Sequence, residues 1–328
     1  MAESDRGRRP LRLGYWLSSE EHAPRRLVEL AVAAEAAGFT TAMISDHFHP
    51  WITEQGQAPF VWGVLGAIAQ ATEALEVGTG VTAPMQRIHP AIVAQAAATA
   101  ACLMPGRFFL GVGSGERLNE HITGEHWPSA GVRREMLEEA VDVIRRLFTG
   151  KNVNHRGPHF TVEHAQLFSL PDEPPPIHLA ASGKRSAALA GEVADGLIGV
   201  EPSPDVVDAF EANGGAGKPR LAQLHVCVDE DEAAARRTAH RFWPQGALQG
   251  TTLTELPRPK EFEEVAALVS EDQVAGAVVC GTDVDRHLAA IAAFATAGFD
   301  TVYVHGIGPD QETFLRFYAE EVRPRLDG

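Results

Sequence analysis

The sequence predicts an α/β fold: a (β/α)8 TIM barrel with insertion segments, forming one domain over residues 1–328. Three observations carry this expectation. Short apolar, β-rich runs recur without period-two polarity, which suits strands buried on both faces of a parallel sheet. Between them lie segments whose apolar residues repeat at three- and four-residue spacing, as on helices. Polar and glycine-rich residues follow the runs, and in a barrel the loops after the strands form the active face. A doubly wound sheet gives the same local alternation and is the second architecture the pattern admits.

The elements follow in order. Leu11 to Tyr15 is the first strand, and PRRLVELAVAAEAAGF is its helix, stopped at Gly38. TAMISDHFHPW pairs with GVLGAIAQATEA, LEVGTGVTAP with IVAQAAATAACLMP, and RFFLGVGSGE with MLEEAVDVIRRLFTG. Residues 151–176, with NVNHRGPHFTV and PDEPPP, break the alternation and read as a hairpin insertion. PIHLAASG, DGLIGVEP and RLAQLHVCV resume it. Residues 244–275 show no clear strand before EFEEVAALV and read as a second insertion. VVCGT and TVYVHGIG, each with a helix, complete a count of eight units.

Composition limits the function. Apolar residues make up 45% and charged ones 22% of 328, an ordinary globular balance. The start, MAESDRGRRPLRLGYWL, has arginines but no apolar run of signal-peptide length, and no segment reaches membrane-spanning length. The expectation is a cytoplasmic protein. Cys102, Cys227 and Cys280 lie too far apart for a CxxC pair, and a reducing compartment fits. A net charge of −16 repels a phosphate backbone, so nucleic acid is not an expected partner. No zinc or calcium ligand spacing and no GxSxG elbow occurs, which argues against a metal and against a hydrolase.

Four strand-end segments carry residues suited to chemistry. SDHFHPW brings Asp46, His47 and Trp51 to one mouth. A histidine moves protons near neutral pH, and an indole offers a flat face to a conjugated ring. The same imidazole could instead only hold its loop. GVGSGERLNE supplies glycines through which backbone amides approach a ligand, together with Glu116, which either exchanges a proton or pairs with Arg117 or Arg133. Its spacing lacks the complete GxGxxG pattern. Ser182, Gly183, Lys184 and Arg185 open a helix as a candidate phosphate cradle, or else form a solvated first turn. GTGVTAP can bring backbone against a ring.

Taken together, GYWLSSE, SDHFHPW, GTGVTAP, FFLGVGSGERLNE, LAASG, ADGLIG and GPDQETFLRFYAEEVRPRL resemble the F420-dependent glucose-6-phosphate dehydrogenase group of the luciferase-like superfamily, from about Leu11 to Leu326. The resemblance implies coenzyme F420 lying across the barrel mouth. Asp46, Gly80, Val81, Ser114, Gly115, Asn119, Ser182, Gly183, Lys184 and Arg185 would hold it, with Gly80 and Val81 in a turn that is often a non-prolyl cis peptide. His47 would take the hydroxyl proton as hydride leaves for C5 of the deazaflavin. Glu116 would meet negative charge at N1, and Trp51 would lie near the reacting centre.

The substrate side departs from that group. Two lysines and an arginine that clamp a sugar phosphate fall at Ser203, near Glu264 and near Leu288, with Arg286 as the nearby cation. Glu201 adds negative charge to the same wall. With Trp16 also facing substrate, these residues imply a non-phosphorylated sugar or other secondary alcohol. Ala83 replaces a threonine often found before the proline of the third turn, with Thr82 one place earlier. The expected protein is an F420-dependent dehydrogenase, a homodimer taking a small-molecule alcohol or sugar. The alternatives are an FMN-dependent monooxygenase, an F420-dependent reductase and a non-catalytic barrel.

Overall fold

In the computed structural model, residues 11–248 and 250–326 are described; the arginine-bearing start before Leu11 lies outside them. Eleven strands form among these residues: β1 (Arg12–Leu17), β2 (Thr41–Ile44), β3 (Glu76–Thr79), β4 (Phe108–Val112), β5 (Val153–Arg156), β6 (Thr161–Ala165), β7 (Ile177–Ala180), β8 (Gly196–Gly199), β9 (Arg220–Cys227), β10 (Val279–Cys280) and β11 (Thr301–Gly306).

Eight of them close a parallel barrel in the order β1, β2, β3, β4, β7, β8, β9, β11, with β11 returning to β1 and β8 pairing β9. β5 and β6 pair antiparallel, so the first insertion contains a hairpin. The second insertion is a set of short helical turns, including Pro259–Ala266 and Glu271–Ala277.

The expected eight-stranded barrel forms, but the apolar runs named along the sequence number nine, and they give nine parallel strands, one more than the barrel uses. VVCGT gives only the two-residue β10. β9 is eight residues long and β8 four, so β8 covers the start of β9 at Arg220–Ala222 and leaves one edge of its far end open. β10 fills that edge at Val226 and Cys227 without becoming a stave of the barrel.

Two apolar layers hold the fold. Inside the barrel, Trp16, Met43, Phe109, Ile198, Leu221 and Tyr303 from six strands pack together. Outside, helix faces seal the strands. In Pro90–Leu103, for example, Pro90 supplies a preset first-turn φ, and Val93, Ala94, Ala97, Ala98 and Ala101 turn one buried stripe toward the sheet. Aspartates cap several helices, among them Asp231 before Glu232–Phe242 and Asp283 before Val284–Ala297. Because every barrel strand is parallel, all eight present their C-terminal ends at one mouth.

Candidate active site

The chain leaves β2 through Ser45, Asp46 and His47, all buried. His47 Nδ1 lies 3.1 Å from the carbonyl oxygen of His49, which accepts only if that nitrogen carries the proton. The other ring nitrogen, Nε2, is thereby left to face Glu20 Oε1 at 3.4 Å. Glu20, on the loop after β1, is itself fixed by the hydroxyls of Ser18 and Ser45. The indole of Trp51 lies 5.0 Å from the His47 ring and meets Phe262 edge-on at 5.3 Å. Phe262 belongs to the second insertion, so that segment covers one side of the mouth.

Asp46 is used differently. One carboxylate oxygen accepts from Thr82 Oγ1 at 2.7 Å and the other from Arg87 Nη2 at 2.9 Å. Arg87 also approaches Glu120 Oε1 through its Nε at 3.6 Å, while Glu120 Oε2 accepts the backbone N–H groups of Gln86 and Arg87. The result is a buried Asp46–Arg87–Glu120 chain running beneath the mouth. Burial raises the Glu120 carboxyl to about 7, against the lowering effect of its Arg87 contacts, and the nearby Glu116 charge adds to the rise.

The β4 loop closes over this chain. Gly115 has φ +68°, a conformation that favours glycine, and a Cβ there would lie 3.1 Å from the Glu120 side chain. Glu116 and Ser114 are half-buried. Asn119 is buried and joins two predicted segments: its Oδ1 accepts from the N–H groups of Phe48 at 2.9 Å and His49 at 3.2 Å, and its Nδ2 donates to Glu116 at 3.3 Å. The pairing of Glu116 with Arg117 or Arg133 does not form among the described residues. Arg133 instead binds Pro128 O and Glu255 and stacks over Trp127. The Gly80–Val81 peptide is cis, as the turn reading expected. A Cβ on Gly80 would come within 2.7 Å of the Trp16 ring, so this turn and Trp16 are packed together.

Residues 10–301 match the luciferase-like monooxygenase family. The chain belongs to that family. It is 36% identical to an F420-dependent glucose-6-phosphate dehydrogenase of Microbacterium testaceum, covering 97% of this chain and 98% of the relative. The corresponding enzyme of Beutenbergia cavernae is 38% identical over 96% and 97%. Among solved structures, an F420-dependent secondary alcohol dehydrogenase in complex with an F420-acetone adduct superposes with a TM-score of 0.90 at 33% identity, over 97% of this chain and 99% of that one.

The remaining predicted residues are spread around this luciferase-like barrel. Ser182, Gly183, Lys184 and Arg185 are exposed after β7, and helix Lys184–Val193 starts without a side-chain cap. Lys184 reaches Asp205 at 3.0 Å, which ties it to the helix that follows β8. Glu201 is exposed on the β8 loop, and half-buried Ser203 begins helix Pro204–Phe210. Glu264 is exposed and lies 4.0 Å from Lys260. Leu288 packs against the core, and Arg286 is bound to Glu232 at 2.9 Å. Among the described residues, no cluster of His, Cys, Asp or Glu is arranged to hold a metal, and no helix is long and apolar enough to cross a membrane.

Sequence reading met Glu20 and Glu120 only as members of motifs and assigned no role to them or to Glu21, Arg87 and His305. Glu20 and Glu21 follow β1 directly, and His305 ends β11, so the strand-end rule that selected SDHFHPW applies to them too. Arg87 and Glu120 stand 33 residues apart, and no local spacing joins them.

Proposed function

We propose that the protein is an F420-dependent oxidoreductase that passes a hydride between the deazaflavin and a non-phosphorylated sugar or secondary alcohol. The observation that carries this reading is Asn119, which ties the backbone beside His47 to the carboxylate of Glu116. One side chain thus ties the loop that carries the His47 imidazole to an acid on the loop after β4, at the C-terminal mouth where barrels of this kind place their chemistry.

The residues present fit such a cofactor. The first turn of helix Lys184–Val193 leaves backbone N–H groups uncapped beside Lys184 and Arg185, as an anionic tail requires. Ser114, Gly115 and Asn119 offer hydroxyl, backbone and amide contacts, and the half-buried Glu116 carboxylate has one hydrogen-bond donor among the described residues and can accept others. When bound, the deazaflavin supplies the carbon that exchanges hydride. His47 accepts the substrate hydroxyl proton at Nε2. The imidazolium so formed faces Glu20, whose negative charge stabilises it. Trp51 and Phe262 exclude water from one side.

The chemistry is oxidation at a CH–OH carbon. Exposed apolar side chains on successive outer segments, Val32, Phe60 and Ile92, support a homodimer, in which a second copy would cover them. A cytoplasmic location belongs to the same reading, supported by three free cysteines that suit a reducing compartment. The family description favours one rival, a flavin monooxygenase on the same barrel.

Fluorescence titration with F420, FMN and NADP separates the readings. The expected order puts F420 tightest; absence of binding at micromolar F420 rejects the cofactor assignment, and tighter FMN binding selects the monooxygenase.

A further inference from the structure

A second imidazole at the mouth has no part in the chemistry derived above. His305, the fifth residue of the six in β11, is fully buried, and its Nε2 lies 2.7 Å from Glu21 Oε2. The other Glu21 oxygen accepts the N–H of Gly308 at 3.0 Å. Burial alone would raise the Glu21 carboxyl, but the hydrogen bond and charge of His305, with the nearby His22 and the Gly308 N–H, hold it below its usual range. Glu21 is therefore an anion that fixes the His305 ring through Nε2–H. That bond leaves Nδ1, which has no partner among the described residues although it is buried.

The surroundings of this nitrogen are aromatic. Trp243 meets the His305 ring edge-on at 4.6 Å, His225 at 5.3 Å, and Trp16 lies 6.3 Å away. His225 stands opposite His305 in the β9–β11 register and also has an unpartnered Nδ1; burial, with His305 beside it, pushes it down to about 3, so it stays neutral. Trp243 shares an apolar cluster with Trp51, which packs on His47. One wall of rings thus runs from His47 to His305.

Tying the β11 loop to the β1 loop uses Nε2 and both Glu21 oxygens and gives no reason for an orphaned nitrogen in an aromatic wall, since a buried polar atom without a partner is costly. We propose that His305, oriented by Glu21, is a specificity-determining residue that takes a second hydroxyl of a sugar or polyol while His47 serves the reacting one. The inference rests on the dehydrogenase reading above. A hydroxyl both donates and accepts, so it matches Nδ1 whether or not that nitrogen carries a proton. A phosphate ester would bring its charge toward the Glu21 carboxylate behind the ring.

The test compares kcat/KM for glucose with kcat/KM for propan-2-ol at saturating F420, in wild type and in Glu21→Gln/His305→Phe. The double change keeps the ring packing and leaves no unpaired buried carboxylate. Losing one hydrogen bond lowers the glucose-to-propan-2-ol ratio about tenfold. A purely structural role moves both rates together and leaves the ratio constant, which overturns the proposal. Glu21→Gln alone, which keeps Nδ1 but loosens the ring, lowers the ratio by a smaller factor; an unchanged ratio there removes the orienting role of Glu21. Imidazole ¹⁵N spectra of the F420-bound wild type give a second readout: glucose shifts the His305 Nδ1 signal and propan-2-ol does not, and a signal insensitive to glucose rejects the contact. F420 titration of the same samples shows separately whether the cofactor reading has failed.

Discussion

Glu20 and Glu21 are adjacent in the chain, yet each holds an imidazole from a different strand. Glu20 lies 3.4 Å from His47 after β2, and Glu21 lies 2.7 Å from His305 in β11. The β1 loop therefore sets both histidines from one short piece of backbone. Glu20→Gln keeps the size and the serine contacts but removes the charge facing Nε2. The expected result is a fall in kcat of about ten- to a hundredfold with F420 affinity changed less than about threefold. A kcat equal to wild type would make Glu20 a packing residue.

His47→Ala and Glu116→Gln are expected to lower the chemical rate by about 10²–10⁴-fold, the usual contribution of a general acid or base. Single-turnover absorbance of F420 measures this step directly. Near wild-type turnover in either variant assigns that residue to loop structure.

Arg87 is the cation between two buried carboxylates. Removing it strands both Asp46 and Glu120, and breaking a buried pair of this kind costs about 3–5 kcal/mol. Arg87→Met should lower the midpoint of chemical denaturation accordingly and loosen the His47 loop. A change below about 1 kcal/mol would show that solvent reaches the site and screens the pair.

Glu120, raised to about 7, gives a pH dependence of stability whose sign runs opposite to that of a salt-bridged acid. Between its ordinary unfolded value and about 7 the folded protein binds more protons than the unfolded chain, so this group lowers stability as pH rises through that window. Glu120→Gln keeps the neutral form. Urea denaturation at pH 5 and pH 8 should show the variant gaining on wild type at the higher pH; a gain at pH 5 instead contradicts the assignment.

Glucose 6-phosphate is expected to be a poorer substrate than glucose or a simple secondary alcohol. Glu201 and Ser203 sit together on the β8 loop, Glu264 is exposed, and Arg286 is bound to Glu232, so no free cation comes from these positions. Each charge-assisted hydrogen bond lost is worth roughly 1.5–3 kcal/mol. Steady-state rates on all three compounds test this, with Glu201→Lys/Ser203→Lys expected to restore part of the phosphate-ester activity. A wild-type preference for the phosphorylated sugar overturns the substrate argument.

The alternation of buried runs and helical stripes is a local property, and it marked the strands, the hairpin insertion and the strand ends that carry His47, Trp51, Glu116 and Asn119. The family resemblance, and not the alternation, chose the barrel over a doubly wound sheet. That resemblance, rather than any spacing, also implied the cis turn found at Gly80–Val81. Tertiary structure decided the rest, because hydrogen bonds between strands depend on register and on which way each side chain turns. Only folding could show that Asp46 turns to Thr82 and Arg87, or that Asn119 rather than an arginine meets Glu116. The extra strand β10 depends on β9 outrunning β8, a difference in length that appears only when the two are paired. The Glu21–His305 pair spans 284 residues, and nothing within either segment encodes the other; barrel closure between β1 and β11 brings them together.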